Sequence, residues 1–351
     1  MIMAIPKVFL LAVVLGCICL CSTVLSAREL GDAAMVERHE QWMAQHGRVY
    51  KDGAEKARRF EAFRNNVVFI ESFNAAGNRR KFWLGVNQFT DLTNDEFRAT
   101  KTNKGFIKRN AAAVNKASPT GTFRYSNVSA DALPAAVDWR AKGAVTPIKN
   151  QGQCGCCWAF SAVAATEGIV QLSTGKLVPL SEQELVDCDA NGADHGCEGG
   201  EMDDAFEFII KNGGLTSETN YPYTAQDGQC KAKNTINSVA TIKGYEDVPA
   251  NDEASLMKAV AAQPVSVAVD GGDMVFQHYA GGVLSGSCGT SLDHGIVAVG
   301  YGAADDGTKF WLMKNSWGTT WGEDGYIRME KDVADAGGMC GLAMQPSYPT
   351  E

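Results

Sequence analysis

The sequence predicts an α+β fold: a helical half, then a β-rich half, with a small helical segment in front. Three patterns carry that expectation. Apolar residues recur at helical spacing over 157–172, 181–187 and 200–212, with Gly and Pro between the runs. After about residue 243, β-branched runs take over at Val265–Val269, Ile296–Val299, Phe310–Met313 and Tyr326–Met329. Ahead of both, the stretch 36–95 shows helical spacing with polar residues on its ordered face. A length of 351 residues allows about two to three domains.

The first 27 residues read as a targeting segment. Lys7 gives a small positive start, Val8 to Cys21 is almost wholly apolar, and Ser26 and Ala27 are small. The apolar run falls short of the ~20 residues of a membrane span, and no later stretch qualifies. The expectation is a secretory route, cleavage after Ser26 or Ala27, and no membrane attachment once the leader is gone. Leu25 is a poor residue three places before a cleavage after Ala27.

Charge divides unevenly. Residues 1–132 hold 19 Lys/Arg against 12 Asp/Glu, a net of +7, while 133–351 hold 13 against 29, a net of −16. In the front part basic residues alternate with acids and core apolars, which argues against nucleic-acid binding. A basic segment seated on an acidic partner in the same chain fits better, and acidification is expected to loosen that attraction.

Cys17, Cys19 and Cys21 leave with the leader. Cys154, Cys156, Cys157, Cys188, Cys197, Cys230, Cys288 and Cys340 remain, and in a secreted chain eight thiols read most simply as four disulfides. One of them is placed for chemistry instead. In Gln151-Gly-Gln-Cys-Gly-Cys-Cys-Trp158, Cys157 opens an apolar helical pattern, where unpaired N–H groups and the dipole favour a thiolate. His294, in Leu292-Asp-His-Gly, follows 137 residues later, and Asn315 lies in Lys314-Asn-Ser-Trp317-Gly. A Cys with a His and an Asn in this order and at this distance makes Cys157 a candidate nucleophile. His39, His46, His195 and His278 lack such flanks and read as surface or structural. A zinc site from Cys154, Cys156, Cys157 and a His has the wrong spacing, so neither metal nor cofactor is expected.

In the front segment Glu55, Arg59, Phe63, Asn66, Ile70 and Asn74 fall within about 100° of one helix face. Glu, Arg and two Asn on that face suggest hydrogen bonds that fix one packing. Gly85, Asn87, Phe89 and Asp91 follow at alternate positions. Residues 99–132 are dominated by Ala, Asn, Lys, Ser and Thr, and read as an extended, cleavable linker. Asn127-Val-Ser129 in that linker is a glycosylation sequon.

From about Val36 to Tyr348 the chain resembles papain-like cysteine proteases of the plant senescence-associated type. The E-R-F-N-I-N and G-x-N-x-F-x-D patterns match the inhibitory propeptides of that family residue for residue. The resemblance implies a two-domain fold, a helical left domain against a β-barrel-like right domain, with a small helical prodomain. It divides the chain into a signal peptide (1–27), an inhibitory propeptide (28–132, with 36–95 globular and 99–132 the linker) and a mature peptidase domain (133–351), cut near 131–134. It implies three disulfides, Cys154–Cys197, Cys188–Cys230 and Cys288–Cys340, leaving Cys157 free for catalysis and Cys156 as an extra thiol.

The same resemblance makes Cys157 the nucleophile, His294 its proton partner and Asn315 the orienting group. Trp317 would cover the Asn–His contact, and Gln151 would form the oxyanion hole with the Cys157 N–H. Gly199 and Gly200 match the edge that docks substrate backbone. Glu201, Met202, Ala268, Leu292, Gly295 and Gln345 match the second specificity pocket, whose apolar members favour Leu, Val or Phe two residues before the scissile bond. An endopeptidase zymogen follows, activated at acidic pH by propeptide removal, with peptide and protein substrates, its own propeptide and cystatin-type inhibitors as partners. A monomer is expected, in a vacuole or lysosome-like compartment or outside the cell.

Two departures from the family pattern stand out. Glu198 and Glu201 introduce carboxylates that either form an acidic rim for basic substrate residues or are simply solvated. Cys156 stands where Ser or Ala is usual, and is either a buried small hydrophobe or a redox-sensitive thiol. A silent binding protein, a Cys-His-Asp acyltransferase and a pure inhibitor are rival classes. The intact Cys157, His294, Asn315 and Gln151, together with the full-length peptidase part, argue against all three.

Overall fold

A computed structural model describes residues 32–76, 81–103, 123–189, 194–231, 237–286 and 288–351. The expected leader and most of the expected linker lie outside the described residues. The chain falls into two units, up to Val68 and Phe69–Glu351.

The first unit holds helix α1 over 32–45 and the start of α2 (Gly53–Ala75). Its core is aromatic. His39 is 2% exposed, stacks on Trp42 at 5.9 Å and Tyr50 at 6.0 Å, and meets Phe63 at 5.0 Å. On the expected polar face, Phe63 and Asn66 are buried while Glu55 and Arg59 are half-buried.

In the second unit α2 ends at Ala75, and Asn74 caps the next element. Its side chain accepts from the Leu84 N–H at 3.0 Å and donates to the Leu84 carbonyl at 2.8 Å, fixing strand β1 (Phe82–Leu84). Helix α3 (Asn94–Lys101) starts with a capping box between Thr93 and Glu96. The remaining strands are β2 (Val137–Asp138), β3 (Gly244–Asp247), β4 (Val265–Val269), β5 (Tyr279–Leu284), β6 (His294–Ala303), β7 (Lys309–Lys314), β8 (Tyr326–Glu330) and β9 (Ser347–Thr350). Among the described residues they join one sheet, ordered β1-β5-β8-β7-β6-β4-β9-β3, with β2 alongside β6. Every residue of β6 but the last is buried, as a strand covered on both faces must be. Gly300 lets β2 cross there, because a Cβ at that position would lie 2.1 Å from the Val137 carbonyl.

Helices α4 (Cys157–Thr174), α5 (Glu182–Cys188) and α6 (Met202–Lys211) build a second core around Trp158, Phe206, Leu185 and Leu215. The helical half and the sheet half therefore each have their own interior. Helix α7 (Glu253–Ala262) and the short α8 (Met274–Gln277) interrupt the β-rich half, which the sequence pattern presents as strands alone. Asp252 starts α7 by accepting from the Ala254 and Ser255 N–H groups. Disulfides join Cys154 to Cys197, Cys188 to Cys230 and Cys288 to Cys340, and Cys156 and Cys157 are free. No helix among the described residues is long and apolar enough to cross a membrane.

Candidate active site

Helix α4 is apolar on nearly every face because it runs through the interior. Two serines tie it to the sheet: Ser161 Oγ donates to the Ile296 carbonyl at 2.8 Å, and Ser266 Oγ donates to the Ser161 carbonyl at 3.0 Å. This docking brings the helix start to the start of β6. Cys157 is the first residue of α4, and a Cβ on Gly295 would lie 3.1 Å from the Cys157 carbonyl. His294 is the adjacent residue.

The imidazole of His294 is fully buried, with Nε2 at 2.8 Å from Asn315 Oδ1. That oxygen also accepts from the Ser316 N–H at 2.7 Å, which identifies it as the amide oxygen. Nε2 must therefore donate, and the neutral ring keeps its lone pair on Nδ1, which has no hydrogen-bond partner among the described residues. Trp317 stacks on the ring at 4.4 Å and 25°.

Gln151 is fixed by the same logic. Its Oε1 accepts from Ser316 Oγ at 2.8 Å and from Trp317 Nε1 at 3.0 Å, and an indole N–H can only donate. Its Nε2 consequently donates away from them, to the Cys154 carbonyl at 2.9 Å and the Lys101 carbonyl at 3.2 Å. Ser316, which the sequence reading passes over, thus holds both Gln151 and Asn315. Its place between Asn315 and Trp317 was the available signal.

Residues 81–103 fill this cleft. Strand β1 pairs antiparallel with β5, and Asn87 Nδ2 donates to the Gln277 carbonyl at 2.8 Å. Phe89 and Phe97 set their edges on Trp317 at 5.7 and 5.1 Å. Asn103 donates from its backbone to the Asp293 carbonyl and from its side chain to the Gly200 carbonyl, both at 2.7 Å. Gly199 has φ +127, and a Cβ there would lie 1.9 Å from Asn103 Oδ1, so only glycine permits this approach. Ion pairs join basic residues of the front part to acids of the rest: Lys81–Glu330 at 2.7 Å, Arg124–Glu246 at 3.1 Å and Arg98–Asp293 at 3.7 Å.

Covering the cleft changes its electrostatics. Burial pushes the Cys157 thiol up to about 12, although the N–H groups of Gly295, Trp158 and Asn103 work the other way. Burial likewise lowers His294 to about 4, against the opposing bond to Asn315. In this covered state burial therefore opposes the thiolate that the helix start favours, and it also disfavours the imidazolium.

Met202, Ala268, Leu292 and Gly295 lie close together. Ala268 pairs with Gly295 across β4 and β6, a Cβ on Gly295 would lie 3.4 Å from Met202 Sδ, and Leu292 packs on the same core. Gln345 lies half-buried beyond Met344, whose sulfur and Leu292 both crowd Gly341. Glu198 is exposed. Glu201 is 6% exposed at the N-cap of α6 with the cleft covered, its backbone N–H donating to Asp194 Oδ1 at 2.7 Å. Cys156 is fully buried beside the Tyr223 hydroxyl, which removes it from solvent oxidants.

Beneath the site, Lys149 Nζ meets Glu167 at 2.9 Å and Glu182 at 2.6 Å, and Lys314 Nζ donates to Thr146 Oγ1 at 2.7 Å. Nothing in the sequence spacing pointed to this buried network. Among the described residues no group of three or more His, Cys, Asp and Glu could hold a metal ion.

A protein profile described as papain family cysteine protease matches residues 133–350, the part that holds Cys157, His294 and Asn315. The chain belongs to the papain family of cysteine proteases. A second profile, the cathepsin propeptide inhibitor domain (I29), matches residues 39–97. The senescence-specific cysteine protease SAG39 of Oryza sativa subsp. indica is 74% identical, covering 99% of this chain and 100% of its own. SAG12 of Arabidopsis thaliana is 55% identical over 98% of each. Among solved structures, recombinant stem bromelain precursor superposes with a TM-score of 0.80 at 48% identity, covering 90% of this chain and 99% of its own. The proform of the ragweed pollen allergen Amb a 11, also a cysteine protease, gives 0.80 at 42% identity, covering 90% and 94%. This papain-family protease is thus a cysteine protease that carries its own inhibitory propeptide, and the segment lying in its cleft comes from that propeptide.

Proposed function

We propose that this zymogen yields an endopeptidase in which Cys157 attacks the peptide carbonyl, His294 moves the proton and Asn315 holds the imidazole. The observation that carries the reading is the 2.8 Å bond from His294 Nε2 to Asn315, which leaves a bare Nδ1 next to the helix that Cys157 begins. Once uncovered, the helix start and an adjacent imidazolium lower the thiol, and the thiolate attacks. Proton transfer from His294 then releases the amine. Gln151 Nε2 and the Cys157 N–H receive the developing oxyanion, and in the zymogen the Lys101 carbonyl already occupies Gln151.

Met202, Ala268 and Leu292 give the second pocket its apolar character, so Leu, Val or Phe is the preferred residue there. The proposed division is a leader at 1–27, a propeptide at 28–132 and a mature chain from 133. Residues 131–136 are exposed apart from a half-buried Leu133, which suits cutting near 131–134, and Val137 is held by β6. Asn127 is exposed, as a glycan acceptor must be. We assign the protein to the secretory route, ending in a vacuole, a lysosome-like compartment or the extracellular space, as a monomer open to cystatin-type inhibitors.

The test is epoxide labelling and peptide hydrolysis at about pH 5 by the processed enzyme. Labelling at Cys157, its loss in Cys157→Ser, and faster cleavage after an apolar than an acidic second-position residue are expected. A native, processed enzyme that neither labels nor cleaves would overturn the assignment.

A further inference from the structure

Behind the oxyanion side of the site lies a chain of two hydrogen bonds that the reaction as described leaves unused. Tyr223 Oη is 2.7 Å from the Gln151 carbonyl and 2.9 Å from Cys156 Sγ. A carbonyl can only accept, so the single Tyr223 proton goes to Gln151, and the Cys156 thiol must then donate to the phenol oxygen. The relay runs from Cys156 S–H to Tyr223 O–H to Gln151 C=O.

Its ends are the informative part. Gln151 supplies one oxyanion donor from its side chain. Cys156 directly precedes Cys157, whose backbone N–H is the other donor, and its backbone carbonyl accepts from the Ala159 N–H at 3.0 Å, the first bond of the helix. Tyr223 itself is firmly held. Its ring stands edge-on to Phe160 of the same helix at 5.0 Å and 85°, and its N–H donates to Glu218 at 2.9 Å. The neighbouring Ala225 backs the Gln151 turn, with its Cβ 3.0 Å from where a Gly152 Cβ would be.

We propose that Tyr223 and Cys156 are positioning residues that set the spacing of the two oxyanion donors, Gln151 Nε2 and the Cys157 N–H. The proposal rests on the assignment of those donors. Oxyanion donors act only when aimed at the oxygen's final position, so a shift of the Gln151 turn against the helix start lowers turnover more than it lowers substrate binding. This gives the non-catalytic thiol a role that its burial permits and oxidation chemistry does not require.

The test uses enzyme processed from the full-length zymogen. Tyr223→Phe removes the central hydroxyl and keeps the ring. The expected result is a fall in kcat of about ten-fold, less than the 10²–10³ for loss of a whole donor, with KM within about two-fold. Affinity for a peptide aldehyde, whose adduct places an oxyanion in the hole, should fall in step with kcat/KM. The rate of epoxide alkylation of Cys157, which needs no such hole, should stay near that of the unaltered enzyme. Cys156→Ala should lower kcat by a few-fold, since it breaks only the weaker thiol bond, and Cys156→Ser should restore most of it. Gln151→Ala serves as the control: if it costs nothing, the donor assignment itself fails. If Gln151→Ala is damaging while folded Tyr223→Phe keeps full kcat and aldehyde affinity, the positioning role fails. Equal losses in aldehyde affinity and alkylation would mean general loosening and also overturn it. Should Tyr223→Phe not fold, the Cys156→Ala and Cys156→Ser pair decides, and equal activities count against the proposal.

Discussion

His278 offers a way to test how acid opens the zymogen. It is fully buried, and neither ring nitrogen has a hydrogen-bond partner among the described residues. It sits on the seam with the propeptide: its carbonyl accepts from the Gly85 N–H at 2.8 Å, and the adjacent Gln277 exchanges bonds with Asn87 and Phe89. Burial alone lowers its imidazole from 6.5 to about 4. No charge reaches it from Asp273 at the start of α8, from Glu323 and Arg328 around Tyr279, or from Asp91 of the propeptide. A base with a depressed value in the closed state binds protons better once opened and solvated. Where opening of this seam exposes the ring to water, closure is unaffected above about 6.5 and progressively weakened as pH falls toward 4. The difference is worth up to about 3 kcal/mol, at ~1.4 kcal/mol per unit.

His278→Phe removes that drive while filling an apolar site with an apolar ring. At pH 4.5 the variant should open roughly 10²-fold less often than the parent. Hydrogen exchange across residues 82–92, followed by mass spectrometry in full-length Cys157→Ser zymogen, reads this opening without self-cleavage. Comparing the two proteins at each pH cancels the intrinsic pH dependence of exchange. Their curves should coincide at pH 7 and diverge by about one proton's worth between 6 and 4.5. Parallel curves across the whole range would refute the reasoning. Asp293 shows why carboxylates are poor candidates for this trigger. Burial raises it to about 6, so in the closed state it takes up a proton more readily and acid favours closure there. The simple expectation that acid loosens the propeptide by neutralising its carboxylate partners thus has the wrong sign at Arg98–Asp293.

Other outcomes follow from single contacts. Asn103→Ala removes the 2.7 Å bond to Gly200, worth roughly 0.5–1.5 kcal/mol, and should raise epoxide labelling of the zymogen at pH 7 about three- to ten-fold. Lys149→Met strands the buried Glu167 and Glu182 and should lower zymogen stability by roughly 3–5 kcal/mol, measured by urea unfolding at pH 7. Ala268→Leu should fill the second pocket and depress kcat/KM for Phe-containing peptides more than for Val-containing ones; an unchanged ratio would remove Ala268 from the pocket.

The parts of this structure legible in the sequence were those set by short-range pattern. Helical spacing located α4, α5 and α6, and β-branched runs located β4, β6, β7 and β8 to within a few residues. That Cys157, His294 and Asn315 belong to one site was legible because each stands in its own motif, and the structure places them together. Helix α7 was not, since its Ala-rich run lies among strand patterns and its start depends on one Asp252 cap. The buried Lys149–Glu167–Glu182 network joins positions up to 33 residues apart with no shared motif, and ordinary charged residues give no sign of burial. Cys156 had two open readings because composition cannot tell a sealed thiol from an accessible one; its zero exposure and the Tyr223 contact decide for the sealed one. Glu201 looked like a surface acid for the same reason.

The covered site also separates two meanings of inhibition. A plug that only blocked access would leave a thiolate and an imidazolium waiting beneath it. Here burial pushes the thiol up and the imidazole down, so covering the site disfavours the attacking ion pair as well as blocking access to it. Removal of residues 81–103 must then do two things at once: free the Lys101 and Asn103 sites for substrate backbone, and return water and the helix field to the sulfur. A reagent as small as iodoacetamide distinguishes the cases. With steric blocking alone it should alkylate intact zymogen with the acid-side profile of an ion pair. With a neutral pair it should react only as fast as the propeptide opens, and His278→Phe should slow it at pH 4.5 by the same factor that slows exchange at Gly85.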